Sequence, residues 1–156
     1  MRPVPGEPAP DFRGVTTDGS EVGLADFRGS KLVLYFYPMD FTPGCTAQAC
    51  SLRDHSAEIR ARGAQILGVS TQDAASHKRF AGVHRLNFPL LADPNRTVTR
   101  AYGAIGGGGL FGLAQAMMGL ADRVTFIIDE QGKIADVIDS PSAMNHAGEV
   151  LARLSG

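Results

Sequence analysis

The stretch Lys31-Leu32-Val33-Leu34-Tyr35-Phe36-Tyr37 (KLVLYFY) decides the fold of this 156-residue chain. It is a continuous run of Leu, β-branched and aromatic residues that follows a single lysine. Such a run is typical of a strand buried on both faces of a sheet, because a strand with one wet face alternates apolar and polar residues. Pro38 ends the run. The sequence therefore predicts a strand in the middle of a sheet.

A helix follows this strand after a short loop, Met39 to Thr42. Thr42 stands where an N-cap residue belongs, and Pro43 suits the first helical position. We predict one helix from Pro43 to Arg62, with Gly63 as its C-terminal stop. Its buried face would carry Cys45, Ala49, Leu52 and Ile59, which share one side of the helical wheel.

Strands and helices alternate through the middle of the chain, and a hairpin around Gln131-Gly132 lies near its end. The predicted strands are Phe12–Thr17, Glu21–Leu24, Ala64–Ser70, Phe88–Ala92, Val124–Asp129 and Lys133–Asp139. The predicted helices are Asp73–His84, Asn95–Tyr102 and Met144–Leu154. This pattern favours an α/β fold with a central mixed β-sheet flanked by helices, formed by residues 1–156 as a single domain.

Composition narrows the function classes. The hydrophobic fraction is 44% and the charged fraction 20%, as in ordinary globular proteins. The formal net charge of −1 argues against a nucleic-acid-binding protein, which would carry a basic excess. No apolar h-region follows Arg2, so we expect no signal peptide and a cytoplasmic location.

The segment Ala101 to Ala121 carries no charge. Its length would suffice for a membrane span, but four consecutive glycines, Gly106 to Gly109, disfavour the helix that a span requires. We predict a loop followed by a short apolar helix, Leu110 to Leu120. This helix is either a packed surface helix, or a lid or contact for a partner or second subunit.

The chain has two cysteines, Cys45 and Cys50. They cannot complete a four-ligand zinc site, and the four histidines offer no i,i+4 pair, so we predict no metal and no organic cofactor. Two cysteines so close in a cytoplasmic chain favour redox chemistry, although a small buried hydrophobe remains the alternative for Cys50.

Cys45 falls in the first turn of the predicted helix, where free backbone N–H groups and the helix dipole favour a thiolate. Ionisation of the thiol raises the reaction rate only modestly. An ordinary thiol is already about 3% ionised at pH 7, so full ionisation increases the rate at most about thirty-fold. A catalytic cysteine therefore also needs fixed donors that stabilise the charge developing in its reaction. The hydroxyl of Thr42, the N–H of Cys45 and an arginine are the candidates, and sequence spacing does not say which arginine.

Cys50 is five residues beyond Cys45, so their Cα atoms are about 8–9 Å apart on a regular helix. A disulfide requires less than about 7 Å, and the helix must unwind locally if the two bond. We hypothesise a cycle in which Cys45 is oxidised to a sulfenic acid and Cys50 then attacks it.

The stretch from Tyr35 to Asp54 (YFYPMDFTPGCTAQACSLRD) resembles the active-site segment of the peroxiredoxins. The frame P-x-x-x-T-x-x-C is formed by Pro38, Thr42 and Cys45. The extension C-T-x-Q-A-C to Cys50 is similar to the peroxiredoxin Q group, also called bacterioferritin comigratory protein. Further segments that resemble the family in the same order are Gly6–Phe12, Ile66–Ser70, Phe88–Asp93 and Arg123–Asp129.

The resemblance implies a thioredoxin-like fold and reduction of hydrogen peroxide or organic hydroperoxides. It implies Cys45 as the peroxidatic and Cys50 as the resolving cysteine, and by position it makes Arg123 the active-site arginine. Pro38 would shield the pocket and Thr42 would orient the substrate. Thioredoxin or a similar dithiol protein would be the reductant, and the group's usual state is a monomer.

One segment departs from the group. Ala104 to Ala121 is Gly-rich and uncharged where members usually carry a polar, basic stretch. We hypothesise that Leu110 to Leu120 forms an apolar wall that favours bulky peroxides, or a contact for a dimer.

Two other functions compete with the peroxidase. A disulfide oxidoreductase would want C-x-x-C spacing, and a redox sensor or holdase would pass oxidation to a partner protein.

Overall fold

The computed structural model describes residues 2–107 and 109–154 of the chain. Their strands form a seven-stranded mixed sheet in the order β2-β1-β5-β4-β3-β6-β7. The strands are β1 Arg13–Thr16, β2 Glu21–Gly23, β3 Lys31–Phe36, β4 Ala64–Ser70, β5 Leu90–Ala92, β6 Val124–Ile128 and β7 Ile134–Asp139. The helices are α1 Pro43–Asp54, α2 Ser56–Ala61, α3 Ala74–Val83, α4 Thr97–Ala101, α5 Gly109–Met117 and α6 His146–Leu154, and Leu24–Phe27 form a 3₁₀ turn. The predicted mixed sheet with flanking helices is confirmed.

Strand β3 divides the protein into two cores. Its side chains alternate across the sheet, as the two-residue period of a strand requires. Leu32, Leu34 and Phe36 point into one core, with the N-terminal strands and α4. Val33 and Tyr35, with Tyr37 just beyond the strand, point into the other, which α1, α3 and α6 cover. Both faces of β3 are buried, which explains why its sequence does not alternate between apolar and polar residues.

Helix α1 packs on the second core through one face. The side chains of Cys45, Ala49 and Leu52 are buried there and contact the sheet side that carries Val33 and Tyr35. The peroxidatic candidate is thus held by the same packing that places the helix on the sheet.

The single helix predicted from Pro43 to Arg62 is wrong. The chain leaves helical geometry at His55, whose φ of −113° and ψ of 13° separate α1 from α2. The amide of His55 bonds to the carbonyl of Leu52, which tightens the last turn of α1, and the His55 ring bonds to the carbonyl of Ser51. The bond of the His55 ring competes with the backbone hydrogen bonds that would continue the helix. Ile59 is still buried, but on α2.

The other boundaries differ from the prediction by at most two residues, except the end of α5, which comes three residues earlier than predicted. Strand β5 begins at Leu90 rather than Phe88, because Pro89 has no N–H to donate to a neighbouring strand. Helix α6 begins at His146, after a turn in which the Ser142 hydroxyl accepts from the amide of Asn145. Helix α5 ends at Met117, and Gly119 follows it at a φ of 75°. In the part of the chain that the structure describes, no helix is long and apolar enough to cross a membrane.

Candidate active site

The pairing of β3 with β6 brings Arg123 to the end of the central strand. The two strands run antiparallel with Phe36 opposite Val124, so the residue before β6 lies beside the residues after β3. Pro38 and Arg123 accordingly line the same cavity, whose volume is about 400 Å³. They are 85 residues apart in sequence, and the antiparallel register joins them.

The guanidinium of Arg123 lies against the first turn of α1. Its Nη2 atom is 3.1 Å from where a Cβ on Gly44 would stand, so the glycine permits this close approach. Its Nη1 atom donates a hydrogen bond to Oε1 of Gln48 at 2.8 Å. Gly44 and Gln48 are four residues apart on the helix and face the same way, with Cys45 between them in sequence.

Gln48 contacts the candidate active-site arginine, and the sequence analysis did not single it out. Its side chain is fully buried, and its Nε2 has no hydrogen-bond partner among residues 2–107 and 109–154. A buried amide group with one unpaired atom costs free energy, so packing alone does not account for a glutamine at this position. The only indication in the sequence is its position one turn after Gly44, and this position does not identify Arg123 as its partner.

Cys45 is the third residue of α1. The first intrahelical bond runs from the amide of Thr46 to the carbonyl of Thr42 at 2.8 Å, so the amides of Gly44 and Cys45 have no intrahelical acceptor. The Cys45 side chain is 1% exposed, and it is not among the residues that line the cavity. Arg123, which lines the cavity, contacts Gly44, the residue that precedes Cys45.

Thr42 occupies the N-cap position of α1, as predicted, but its hydroxyl does not cap the helix. The hydroxyl donates to the carbonyl of Met39 at 2.8 Å. Its proton is thereby used, and its oxygen keeps lone pairs that can accept a hydrogen bond. Substrate orientation by Thr42 stays a prediction, with the hydroxyl acting as acceptor.

The loop between β3 and α1 is anchored by Asp40, which the sequence did not single out. Its buried carboxylate accepts hydrogen bonds from the Tyr37 hydroxyl at 2.6 Å and the Ser76 hydroxyl at 2.8 Å. It also lies 2.7 Å from Nδ1 of His77. Burial raises the pKa of Asp40, but the bonds from His77, Tyr37 and Ser76 outweigh it, and the net pKa is lowered. The carboxylate is thus charged and ties the loop to α3.

Phe41, in the same loop, adopts a φ of 67°, which is uncommon for a residue with a side chain. Its ring packs edge-on against Phe80 at 5.2 Å and lies 6.2 Å from the ring of His84. Tertiary contacts with α3 therefore hold this conformation, which turns the chain from the strand into the helix.

Two buried rings near Cys45 stay neutral. Burial raises the pKa of Tyr35 well above its usual value, and the charges of Cys45 and Asp40 add to the effect. Burial, followed by the charge of Arg123, lowers the pKa of His146 to about 3. His146 contacts the Thr125 hydroxyl through Nε2 at 2.8 Å. The positive charge beside α1 therefore comes from Arg123 and not from His146.

Both cysteines are free thiols. Helix α1 is continuous from Pro43 to Asp54, so Cys45 and Cys50 stand on one intact helix at a spacing that forbids a disulfide. Cys50 is partly exposed, and its sulfur lies 4.0 Å from Nδ1 of His84. The structure corresponds to the reduced, folded arrangement of the hypothesised cycle.

Helix α5 forms one side of the cavity. Phe111, Gly112 and Gln115 line it together with Pro38 and Arg123. Outward, α5 is apolar and open: Leu110 is 87% and Phe111 75% exposed. No residue of α5 is charged. Among the residues that the structure describes, no group of three or more His, Cys, Asp or Glu side chains could hold a metal ion.

The contact between Gln48 and Arg123 gives a first prediction. Gln48→Leu keeps the buried volume but removes the acceptor of Arg123, so we expect kcat/KM for peroxide to fall roughly tenfold, the loss of about one charged hydrogen bond. Thermal stability should not fall, because an unpaired buried amide nitrogen is also removed. Gln65→Leu, the same change on an exposed position of β4, is the control. An unchanged kcat/KM in Gln48→Leu would show that Arg123 keeps its place without this bond.

Comparison with known proteins matches this geometry to one family. The model of the AhpC/TSA family matches residues 5–137. Peroxiredoxin Bcp of Escherichia coli is 40% identical over 146 residues, covering 94% of this chain and 92% of that protein. The crystal structure of peroxidoxin BcpB from Mycobacterium tuberculosis is 35% identical, with a TM-score of 0.84, covering 98% of this chain and 97% of that one.

A structure of Xanthomonas campestris bacterioferritin comigratory protein, determined to explain that protein's alkyl peroxide reduction activity, is 30% identical. Its TM-score is 0.82, and the match covers 92% of this chain and 89% of that one. The relatives named here are all peroxiredoxins, and the sensor or holdase alternative gains no support from them.

Proposed function

Because the chain belongs to the AhpC/TSA family and is a peroxiredoxin of the bacterioferritin comigratory type, an enzyme that reduces a peroxide with a thiol, we propose the course of its reaction. Cys45 is the peroxidatic cysteine, Cys50 resolves it, and thioredoxin or a similar dithiol protein reduces the resulting disulfide. The observation that carries the proposal is the guanidinium of Arg123, held by Gln48 against Gly44 beside Cys45.

In the first step the thiolate of Cys45 attacks the terminal oxygen of a hydroperoxide. The S–O bond forms as the O–O bond breaks, and the departing alkoxide takes a proton to become an alcohol, or water from hydrogen peroxide. Negative charge moves from sulfur to the leaving oxygen, so a fixed cation with several N–H donors stabilises the transition state. Arg123 supplies it, Thr42 accepts from the hydroperoxide O–H, and Pro38 keeps water from the site.

In the second step the first turns of α1 unwind, because Cys45 and Cys50 are too far apart on the intact helix. The sulfur of Cys50 attacks the sulfur of the Cys45 sulfenic acid. A disulfide forms and the hydroxyl group leaves as water. The partly exposed Cys50 is then accessible to a reducing dithiol.

Intact-mass analysis after one equivalent of hydrogen peroxide tests this course. The wild type is expected to lose two hydrogens, as a disulfide requires, and Cys50→Ser to gain one oxygen at Cys45 and stop there. Peptide mapping places the changes. A wild-type protein that keeps a stable one-oxygen adduct would contradict resolution by Cys50.

Helix α5 suggests the preferred substrate. Its uncharged side forms a wall of the cavity that contains Arg123 and continues outward as exposed Leu110 and Phe111. An organic hydroperoxide can lay its apolar part on this wall while its O–O bond enters the site. The alkyl peroxide reduction described for the Xanthomonas campestris protein is consistent with such substrates. We therefore propose a preference for bulky organic hydroperoxides.

Phe111→Gln tests this preference. We expect kcat/KM for cumene hydroperoxide to fall about tenfold, because the variant loses an aromatic contact with the apolar part of this substrate. The kcat/KM for hydrogen peroxide should stay within about twofold. Leu113→Gln, a similar change on α5 outside the cavity lining, is the control. Equal losses on the two peroxides would contradict an apolar wall.

We also propose that residues 1–156 act as one domain, since the two cores share one sheet. The proposed state is a cytoplasmic monomer, with α5 as the surface through which a dimer would form.

A further inference from the structure

Cys50 lies against the end of α3. Its sulfur is 4.0 Å from Nδ1 of His84, the residue that ends α3. Both side chains are partly exposed. His84 takes no part in the reaction of Cys45 with peroxide. That reaction involves Arg123 and its cavity, and Arg123 contacts the first turn of α1.

The position of His84 is fixed by three contacts. Its backbone carbonyl accepts a hydrogen bond from Nη1 of Arg53 at 2.6 Å. Its ring packs edge-on against Phe80 at 5.1 Å and lies 6.2 Å from Phe41. Ring and backbone are therefore both held, and a nitrogen that can accept a proton faces the Cys50 sulfur.

Arg53 is the cation that interacts electrostatically with the Cys50 sulfur. The pKa of Arg53 is raised, first by its hydrogen bond with Asp54 and further by electrostatic interaction with the Cys50 sulfur. Arg53 and Asp54 are thus the charged groups that α1 contributes here. Burial raises the pKa of Tyr35 on β3 well above its usual value, so this phenol, which interacts electrostatically with both cysteines, is neutral.

We propose that His84 is the general base that deprotonates Cys50 for attack on the Cys45 sulfenic acid, and that Arg53 is the positioning residue that holds it. This inference rests on the proposed function, since it assigns a residue to its second step. Nδ1 of His84 takes the proton from the Cys50 thiol. The thiolate forms the S–S bond as the S–O bond of the sulfenic acid breaks, and the imidazolium returns the proton to the departing hydroxide, which leaves as water.

The same contacts keep the base beside the sulfur while α1 unwinds. The Arg53 side chain is bonded to the His84 carbonyl, and the Arg53 carbonyl accepts from the Asn87 side chain at 3.4 Å. The end of α1 is therefore attached to the segment after α3 at two points. Residues 43–49 can open without separating Cys50 from His84, so Cys45 moves toward a resolving cysteine that stays in place.

The test is the rate of disulfide formation after one equivalent of hydrogen peroxide, followed by rapid quenching with an alkylating agent and mass analysis. His84→Phe removes the base and keeps a ring against Phe80 and Phe41. An ordinary thiol is about 3% ionised at pH 7, so without its base we expect disulfide formation to slow roughly tenfold or more at pH 7. The difference in rate between the variant and the wild type should disappear toward pH 9, where the thiol ionises without a base. Formation of the Cys45 sulfenic acid should be unchanged.

His55→Phe, the same change at the exposed histidine that ends α1, is the matched control and should resolve at the wild-type rate. His84→Gln is the second variant if His84→Phe does not fold, and it should show the same pH-dependent slowing. Wild-type disulfide formation at pH 7 in either folded His84 variant would overturn the proposal, and so would an equal slowing at every pH, which a packing role would produce. A wild-type protein that forms no disulfide would instead overturn the proposed cycle, and this inference with it.

Discussion

Replacement of Cys45 by serine is expected to abolish peroxide reduction, by at least about 10⁴-fold in rate, because the reaction then loses its nucleophile. A serine oxygen at the start of α1 has nearly the same shape as the sulfur but is not ionised near pH 7 and cannot be oxidised to a sulfenic acid. The measurement is rapid mixing of the reduced variant with hydrogen peroxide, with peroxide consumption as the readout. Every other group of the site stays in place.

Cys50→Ser is the matched control, since it makes the same substitution on the same helix. It should consume one equivalent of peroxide at the wild-type rate and then stop. Serine at position 45 is also expected to leave thermal stability within about 1 kcal/mol, because the buried volume hardly changes. Rapid consumption of peroxide by Cys45→Ser would contradict the assignment of the peroxidatic sulfur.

The central strand shows what the sequence could predict. Lys31–Phe36 forms a strand whose apolar residues alternate between two dry cores, so the unbroken run directly indicated burial on both faces. The start of α1 was equally clear, because Thr42 and Pro43 act locally through backbone geometry. Information of this kind lies within a few residues and does not depend on the rest of the fold.

The role of Arg123 could not be predicted in this way. From the residues alone it was one of several arginines, and only the family resemblance selected it. The structure brings it to Pro38 through the antiparallel register of Phe36 with Val124. Register is set by the packing of whole strands against both cores, so a short segment does not contain it.

Gln48, Asp40 and His84 were missed for the same reason. Each is an ordinary polar residue in sequence and acquires its meaning from a partner on another element: Arg123 before β6, His77 on α3, and Cys50 on α1. The break of the long helix at His55 is a smaller case, because the bond of the His55 ring to the Ser51 carbonyl competed with a pattern that otherwise favoured continuation.

Arg123→Met is expected to lower kcat/KM for peroxide by roughly 10²–10³, the usual cost of removing one fixed donor that stabilises developing charge. The methionine fills much of the same space against Gly44 but offers no charge and no N–H group. Arg123→Lys should recover only part of the loss, because an ammonium cannot bond Gln48 and the peroxide in the fixed fork of a guanidinium. Steady-state rates at several peroxide concentrations separate a loss in kcat from a rise in KM.

Arg2 provides the control for this experiment, because it lines the same cavity and is also a cation. Its guanidinium is committed to Asp122 and Asp139, each at 2.7 Å, and to the carbonyl of Gly103. Its charge is therefore balanced within the wall of the cavity, whereas Arg123 is bonded to a neutral amide and keeps its charge for the reaction. Arg2→Met is expected to change kcat/KM by less than about threefold. A loss as large as that of Arg123→Met would show that the cavity acts through its total charge and not through one positioned guanidinium.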